Sequence, residues 1–317
     1  MQLIKGRIKI HTDITQFKAR NPIVTIGMFD GVHSGHRTIL NRLITQAKTN
    51  DGESLVLSFW PHPRMLFEGE HCSLRFLSSI EEKATLLENI GIDHFIVYPF
   101  TRDFASLSPR QYVEEILVKK IGVKKVIIGY DHRFGFKGAG GYAEMLAFGS
   151  EFGFEVEQIS AYEIDQENIS SSKIREALTV GDIPLATRYL SYEYSIAGRV
   201  IKGNQIGRTI GYPTVNIEPL FAQKLIPGNG IYVVVIEIES KRYNAVANVG
   251  NRPTVVENQT IPNVEAFILD FNADVYGKAI TIYFKQKLRD ELKFPSLARL
   301  VEQIAIDVEM TRAWFTR

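Results

Sequence analysis

Two kinds of hydrophobic pattern follow one another along this 317-residue chain, and the change between them restricts the fold more than any other feature. From Pro22 to about Ile159, short apolar runs alternate with helical patterns, as in stacked βαβ units around a parallel sheet. After about Leu190, six strand-like runs follow with no helix between them, which is typical of an antiparallel barrel or sandwich. At roughly 150 residues per domain, the length also predicts two domains.

The pattern gives bounds for individual elements. Strands of the first part are predicted at Ile23–Ile26, Ser54–Phe59, His94–Tyr98, Lys125–Ile128 and Glu155–Ile159. Strands of the second part are predicted at Tyr194–Ile201, Thr214–Ile217, Gly230–Ile238, Tyr243–Asn248, Val264–Phe271 and Ala279–Leu288, followed by a helix from Ser296 to about Phe315. Ser78 with Glu81 predicts a capping box for a helix ending near Gly91, and Ser108 before Pro109 predicts another helix ending near Gly122.

Composition and charge exclude several classes of protein. Lys and Arg number 37 against 36 Asp and Glu, a net charge of +1, so we expect neither nucleic acid nor an anionic membrane as partner. Hydrophobic residues at 45% and charged residues at 23% are typical of compact globular proteins. A signal peptide and a membrane-spanning run are not seen, and Cys72 has no second cysteine for a disulfide, so we expect a cytoplasmic protein. The oligomeric state stays open.

The stretch Gly27–His36, which reads GMFDGVHSGH, follows a predicted strand and opens a helix. Such a turn offers free backbone N–H groups to phosphates, and His33 and His36 can hydrogen-bond the charge that develops on an attacked phosphorus. The candidate nucleotide-binding residues of this turn are Gly27, Phe29, Asp30 and Gly35. Two alternatives remain: the histidines are ordinary helix-start residues, or they bind zinc together with His62, although this spacing matches no common zinc motif.

Further polar residues lie where predicted parallel strands end or a late helix begins. Asp131, within Gly129–Gly135, is a candidate for positioning a ligand, or it is only a turn residue. Arg175 and the hydroxyls of Ser170, Ser171 and Ser172 suit a triphosphate at a helix N-terminus, although a serine run is also an ordinary helix cap.

The stretch Gly203–Asn216, which reads GNQIGRTIGYPTVN, joins two predicted barrel strands. Its glycines, with Arg208 and Pro213, predict a loop whose amides can bind phosphates; the candidate glycines are Gly203, Gly207 and Gly211. Thr214 and Asn216 lie two residues apart, so they share one face of a strand and offer the oxygen ligands that Mg²⁺ prefers. The alternative is a plain turn followed by a solvated strand face.

Glu265 is an acidic residue in an otherwise apolar strand. Period-two alternation places it on one face with Phe267, Leu269 and Phe271, where an unpaired carboxylate is costly to bury. It therefore either pairs with a cation such as Arg289 or lines a ligand cavity as a base.

These motifs resemble, in order and from about Pro22 to Asp307, the prokaryotic bifunctional riboflavin kinase/FMN adenylyltransferases, or FAD synthetases. The resemblance implies an α/β fold: a Rossmann-like nucleotidyltransferase domain over residues 1–185, then a six-stranded antiparallel flavokinase β-barrel with a C-terminal helix over residues 186–317. The stretch Asn248–Thr254 also resembles this family's Asn-x-Gly-x-Arg-Pro-Thr segment.

The resemblance further implies the chemistry. Riboflavin would be phosphorylated by ATP to FMN, with Glu265 as the base and Mg²⁺ on Thr214 and Asn216. FMN would then be adenylylated by ATP to FAD at the turn that carries the two histidines, with release of pyrophosphate. The residues implied to border the flavin are Arg289, Glu291 and Phe294. Two alternatives are a nucleotidyltransferase acting on phosphopantetheine or choline phosphate, and a flavin-binding regulator without catalysis.

Overall fold

The computed structural model describes residues 8–161, 169–203, 207, 210–253 and 260–316, with the backbone alone at 251–253 and 260–262. Its contacts separate two compact units, Met1–Ser170 and Ser171–Arg317. The boundary predicted from the sequence, between residues 185 and 186, stays a prediction.

The first unit is a six-stranded parallel sheet with strand order β1-β4-β3-β2-β5-β6. Its strands are β1 (Lys9–His11), β2 (Ile23–Ile26), β3 (Ser54–Trp60), β4 (His94–Pro99), β5 (Lys125–Gly129) and β6 (Glu155–Ile159). Its helices are α1 (Ser34–Thr49), α2 (Pro63–Glu68), α3 (Ile80–Ile90), α4 (Arg102–Ala105), α5 (Pro109–Tyr112, continued as a π-helix over Val113–Ile121) and α6 (Tyr142–Phe152). Apolar clusters lie on both faces of the sheet, which is why its central strand β2 is buried throughout.

The order of the strands places one functional edge. β2 pairs with β3 on one side and with β5 on the other, so the direction of chain connection reverses beside β2. In open α/β sheets, ligands bind at the carboxyl ends of the strands beside such a reversal. The stretch Gly27–His36 lies at this position.

One cap differs from the prediction by a residue. Helix α3 is capped by Ser79, whose hydroxyl accepts from Glu82 N while the Glu82 carboxylate accepts from Ser79 N, so the predicted pair Ser78 and Glu81 is wrong. Ser78 instead forms hydrogen bonds with Asp30 and Gly31. The predicted cap at Ser108 is correct.

The second unit is a closed antiparallel barrel in the strand order β10-β11-β8-β7-β12-β9. Its strands are β7 (Ser195–Ile201), β8 (Thr214–Pro219), β9 (Gly230–Ile238), β10 (Lys241–Pro253), β11 (Thr260–Ile268) and β12 (Ala279–Arg289). Helices α7 (Ser171–Val180) and α8 (Ile183–Leu190) precede the barrel, and α9 (Leu297–Phe315) follows it.

Strand β11 ends at Ile268, so the predicted extension to Phe271 is wrong. Asp270 has a φ of 54°, a left-handed conformation that breaks strand geometry, and Leu269 N donates to Asn244 O. Val264, Ala266 and Ile268 are buried, whereas the alternate residues Glu265 and Phe267 line a cavity. The face of β11 that carries Glu265 is therefore the face available to a ligand.

Candidate active sites

In the first unit, the turn after β2 is conformationally strained. Phe29 and Val32 have positive φ angles of 46° and 39°, and Gly31 has one of 78°. Non-glycine residues rarely adopt such angles, and they persist only where surrounding contacts enforce them, often at functional sites.

The two histidines of this turn stack on each other. His33 caps helix α1, its Nδ1 accepting from His36 N at 3.4 Å, and the ring centroids lie 3.6 Å apart. Phe29 contacts His36 edge-on with a centroid distance of 5.0 Å. Nδ1 of His36 is buried and has no hydrogen-bond partner within the described part of the chain. Burial, then the nearby His33 and Lys83, hold the pKa of His36 well below its usual range, so this imidazole is neutral at pH 7.

Contacts from the segment before α3 and from α3 itself hold the turn in place. Both Asp30 carboxylate oxygens accept from Leu77 N at 3.1 Å, and one also accepts from Ser78 N at 3.1 Å. Gly31 N donates to Ser78 Oγ at 3.1 Å, and Lys83 Nζ donates to Met28 O at 2.6 Å. The Asp30 carboxylate thus fastens the turn to a neighbouring segment, and its predicted nucleotide contact stays a prediction.

A cavity of about 730 Å³ begins beside this turn. Gly27 and Met28 line it, and the other lining residues include aromatic rings and cations: Phe59, Phe67, Phe100, Arg102, Phe104, Tyr112, His132, Arg133, Phe134, Phe136 and Lys137. His132 is a candidate that sequence reasoning passed over. Its buried Nε2 has no partner among the described residues, and burial lowers its pKa to about 4.

His62 and the remaining residues predicted to bind the nucleotide in adenylyl transfer lie in different elements. Asp131 is exposed in the turn after β5, at the carboxyl edge of the sheet. His62 caps α2, its Nδ1 accepting from Arg64 N at 3.1 Å. Ser170 ends the first unit, whereas Ser171, Ser172 and Arg175 lie in α7 of the second unit. Their predicted contact with a triphosphate is untested.

In the second unit, strand register brings three polar side chains into one row. Glu265 of β11 pairs with Asn248 of β10 on one side and with Asn216 of β8 on the other. Residues directly opposite one another in adjacent strands carry their side chains on the same face. Thr214, two residues from Asn216, donates a hydrogen bond from Oγ1 to the Glu265 carboxylate. The predicted metal ligands and the predicted base therefore belong to one cluster.

A close approach explains the glycine at position 203. A β-carbon there would collide with the side-chain amide of the buried Asn216. Gly203 thus lets the chain pass directly over one of the predicted metal ligands. Gly211 has a φ of 84°, which suits glycine at the turn before β8, and Pro213 follows it. Arg208 lies outside the described residues.

A cavity of about 460 Å³ lies between this face of the barrel and helix α9. The predicted residues that line it are Gly207, Thr214, Glu265, Arg289, Glu291 and Phe294. Glu291 accepts from Asn229 Nδ2 at 3.2 Å, and the Arg289 guanidinium lies 6.0 Å from the centre of the Phe294 ring.

Arg289 binds Asp307 rather than Glu265. Its Nε and Nη2 donate to the two Asp307 carboxylate oxygens at 2.9 and 2.6 Å, and Nη1 donates to Asp290 O at 2.9 Å. The alternative in which Glu265 pairs with Arg289 is therefore wrong. Of the two interpretations of Glu265, the one in which the carboxylate lines a ligand cavity agrees with the structure.

Comparison with known proteins also divides the chain into two parts. Residues 15–173 match the FAD synthetase family and residues 190–315 match the riboflavin kinase family. A bifunctional riboflavin kinase/FMN adenylyltransferase of Haemophilus influenzae is 40% identical over 316 residues, covering 99% of each chain. The protein of that name from Escherichia coli K12 is 35% identical over 316 residues, covering 99% of this chain and 98% of that protein. This chain belongs to the bifunctional riboflavin kinase/FMN adenylyltransferase family.

A solved structure shares the fold across both units. The crystal structure of a Streptococcus pneumoniae protein named a macrolide-efflux protein has a TM-score of 0.87 and 29% identity, and the match covers 97% of this chain and 99% of that one. Among the residues that the structure describes, no helix is long and apolar enough to cross a membrane.

Three oxygen-bearing side chains on this face of the barrel suit a hard divalent cation. Thr214, Asn216 and Glu265 supply hydroxyl, amide and carboxylate oxygens, the ligand types that Mg²⁺ accepts together with substrate phosphates. Within the described ranges, no three His, Cys, Asp or Glu side chains group closely enough to hold a metal ion, and His33, His36 and His62 form no such group.

Proposed function

We propose that this chain makes FMN from riboflavin and ATP in its second unit, and FAD from FMN and ATP in its first unit. The observation that carries the proposal is a pair of separate cavities, one in each unit. One contains a carboxylate aligned with oxygen ligands, and the other begins at a strained turn that carries stacked histidines. In a member of this family, these are the parts that a kinase and an adenylyltransferase need.

For the kinase reaction, we assign Glu265 as the base. Its carboxylate takes the proton of the riboflavin 5′-hydroxyl, whose oxygen bonds to the γ-phosphorus of ATP while the bond to ADP breaks. The Thr214 hydroxyl donates to the same carboxylate and so fixes its orientation in the cavity wall.

Enzymes that use ATP in this way generally need a divalent cation, and we propose Mg²⁺. Oxygens of Thr214 and Asn216 would hold it together with ATP phosphates. When bound, the ion would neutralise charge on those phosphates.

For the adenylyl transfer, we assign His33 and His36 to the α-phosphate of ATP. A phosphate oxygen of FMN bonds to the α-phosphorus and pyrophosphate leaves, with no covalent enzyme intermediate. Imidazole N–H groups and backbone amides at the start of α1 can hydrogen-bond the oxygens on which the charge develops. The aromatic cavity beside Gly27 has the flat apolar walls that an isoalloxazine ring requires, and Arg102, Arg133 and Lys137 supply cations for the FMN phosphate.

Two variants of the full chain test this division. Glu265→Gln should lower FMN formation from riboflavin by about 10²–10⁴-fold and leave FAD formation from added FMN unchanged, because it removes only the base. His36→Ala should lower FAD formation and leave FMN formation unchanged. Flavins separated by chromatography give both activities from one reaction.

The same measurement separates the alternatives. An adenylyltransferase for another phosphorylated substrate would form neither FMN nor FAD but would release pyrophosphate with that substrate. A flavin-binding regulator would bind flavin and convert none. Loss of both activities in either variant, with the fold intact, would contradict two independent sites.

A further inference from the structure

Lys83 is a buried lysine that neither assigned reaction uses. It lies in α3 with only 4% of its surface exposed, and lysine is almost never this buried unless its charge is paired or bonded. Its Nζ donates to the Met28 carbonyl at 2.6 Å. Met28 belongs to the turn that lines the cavity of the first unit, so Lys83 is bonded directly to the candidate adenylyl-transfer site.

The bond falls beside strained residues of the turn after β2. Met28 is followed at once by Phe29, with a φ of 46°, and four residues later by Val32, with a φ of 39°. Angles of this kind need neighbouring contacts to maintain them. Lys83 supplies one such contact, and Asp30 supplies others through Leu77 and Ser78.

The ammonium group is charged at pH 7. Burial lowers the pKa of Lys83 to about 8, while the Asp30 carboxylate opposes the shift. That positive charge in turn disfavours protonation of His36, as does His33 on the same turn. Lys83 from α3 and His33 from its own turn are the ionisable groups that act on His36 here. A neutral His36 keeps an N–H to donate and adds no further charge to a site that already holds the buried Lys83 and Asp30.

We propose that Lys83 is a positioning residue for adenylyl transfer: its bond to the Met28 carbonyl fixes the Gly27–Asp30 turn, and its positive charge acts on His36 in the same site. This inference rests on the function proposed for the first unit. It assigns Lys83 no contact with substrate, because its ammonium group is bonded to the turn.

Two substitutions separate the charge of Lys83 from its hydrogen bond. Lys83→Gln removes the charge but keeps an N–H donor for the Met28 carbonyl, and Lys83→Met removes both. In both variants the His36 imidazole should titrate at a higher pH than in the unmodified chain, as followed by NMR of labelled histidines and assigned with His36→Ala. This readout needs no catalysis, so it tests Lys83 even if the chain forms no FAD.

Activity provides the second readout. Lys83→Met should lower FAD formation from FMN at pH 7 by about tenfold or more, through loss of a charged hydrogen bond. The acid limb of its pH profile should move to higher pH, because His36 then gains its proton earlier on acidification. Lys83→Gln should move the acid limb by a similar amount. At higher pH, where His36 is neutral in every variant, Lys83→Gln should lose less FAD formation than Lys83→Met.

The chain supplies its own controls. Riboflavin kinase activity of the second unit should be unchanged in both variants, and Lys48→Met, an exposed lysine at the end of α1, should change neither activity. An unchanged His36 titration in both variants would overturn the proposal. So would an equal loss of FAD formation at every pH with no movement of the acid limb, since that pattern indicates only a structural role.

Discussion

The row Asn216, Glu265 and Asn248 shows how single residues determine the chemistry of the barrel face. Register places the three on adjacent strands, and Thr214 orients the carboxylate between the two amides. The Asn248 Oδ1 is buried and has no hydrogen-bond partner within the described residues, although Asn248 lines the cavity. An unsatisfied buried acceptor is costly, so it points to a donor on the ligand.

Asn248→Leu should therefore raise the KM for riboflavin about two- to tenfold, the effect of one neutral hydrogen bond, and leave the KM for ATP unchanged. Steady-state kinetics of FMN formation measure both constants. Asn244→Leu is the matched control, because Asn244 is exposed on the same strand. Equal changes for riboflavin and ATP would show that Asn248 supports the barrel rather than the flavin.

Among single residues, the sequence identifies a functional candidate when its chemistry conflicts with the hydrophobic pattern around it. Glu265 stands out because it is charged within an apolar strand. Asn248, His132 and Lys83 do not stand out, since an asparagine, a histidine and a lysine are common anywhere along a chain. Their importance depends on missing partners and burial, which arise only when distant segments pack together.

Helix α9 is the element that closes the barrel cavity. Its Leu300, Ile304 and Asp307 line the cavity. Asp307, with only 3% of its surface exposed, accepts hydrogen bonds from both Arg289 and Gln303. The Arg289–Asp307 pair joins α9 to the end of β12, so it contributes to the position of the helix and to the shape of the cavity.

Asp307→Ala should lower the free energy of unfolding of the second unit by about 3 kcal/mol, the low end for a broken buried pair, because it leaves the partly buried Arg289 without its counter-charge. Riboflavin binding should weaken as the α9 wall loosens, while FAD formation from FMN in the first unit stays unchanged. Thermal unfolding and riboflavin titration measure these effects, with Glu309→Ala as a control at an exposed position of α9. Unchanged riboflavin affinity in a destabilised Asp307→Ala would show that the pair stabilises the helix without shaping the cavity.

The sequence predicts the elements better than it predicts their ends. Strands β2, β6 and β9 have the predicted bounds. In β2 and β9 the reason is an apolar run with turn residues at its ends. Strand β1 was missed, since its three residues Lys9–His11 carry no apolar pattern and it forms by pairing with β4. The α3 cap is shifted by one residue because two serines are adjacent and only Asp30, distant in sequence, selects between them.

At the scale of the whole molecule, pattern predicts two domains and both fold types, whereas the boundary predicted between residues 185 and 186 stays a prediction. Residues 171–190 form two helices with their own signals, so pattern alone does not say which unit they join. Contacts place them with the barrel. Ile174, Leu178 and Ile183 are fully buried, and Gly228 N donates to Leu178 O at 2.9 Å.

Fragments of the second unit test which boundary is the real one. A fragment of residues 171–317 should fold and form FMN from riboflavin, whereas one of residues 186–317 should be strongly destabilised. The shorter fragment removes α7 and cuts α8, and each buried Leu or Ile side chain lost contributes roughly 1.5–3 kcal/mol. Circular dichroism on heating and the kinase assay measure both outcomes. Equal stability and activity of the two fragments would place the boundary at residues 185 and 186, and inactivity of both would show that the barrel needs the first unit to fold.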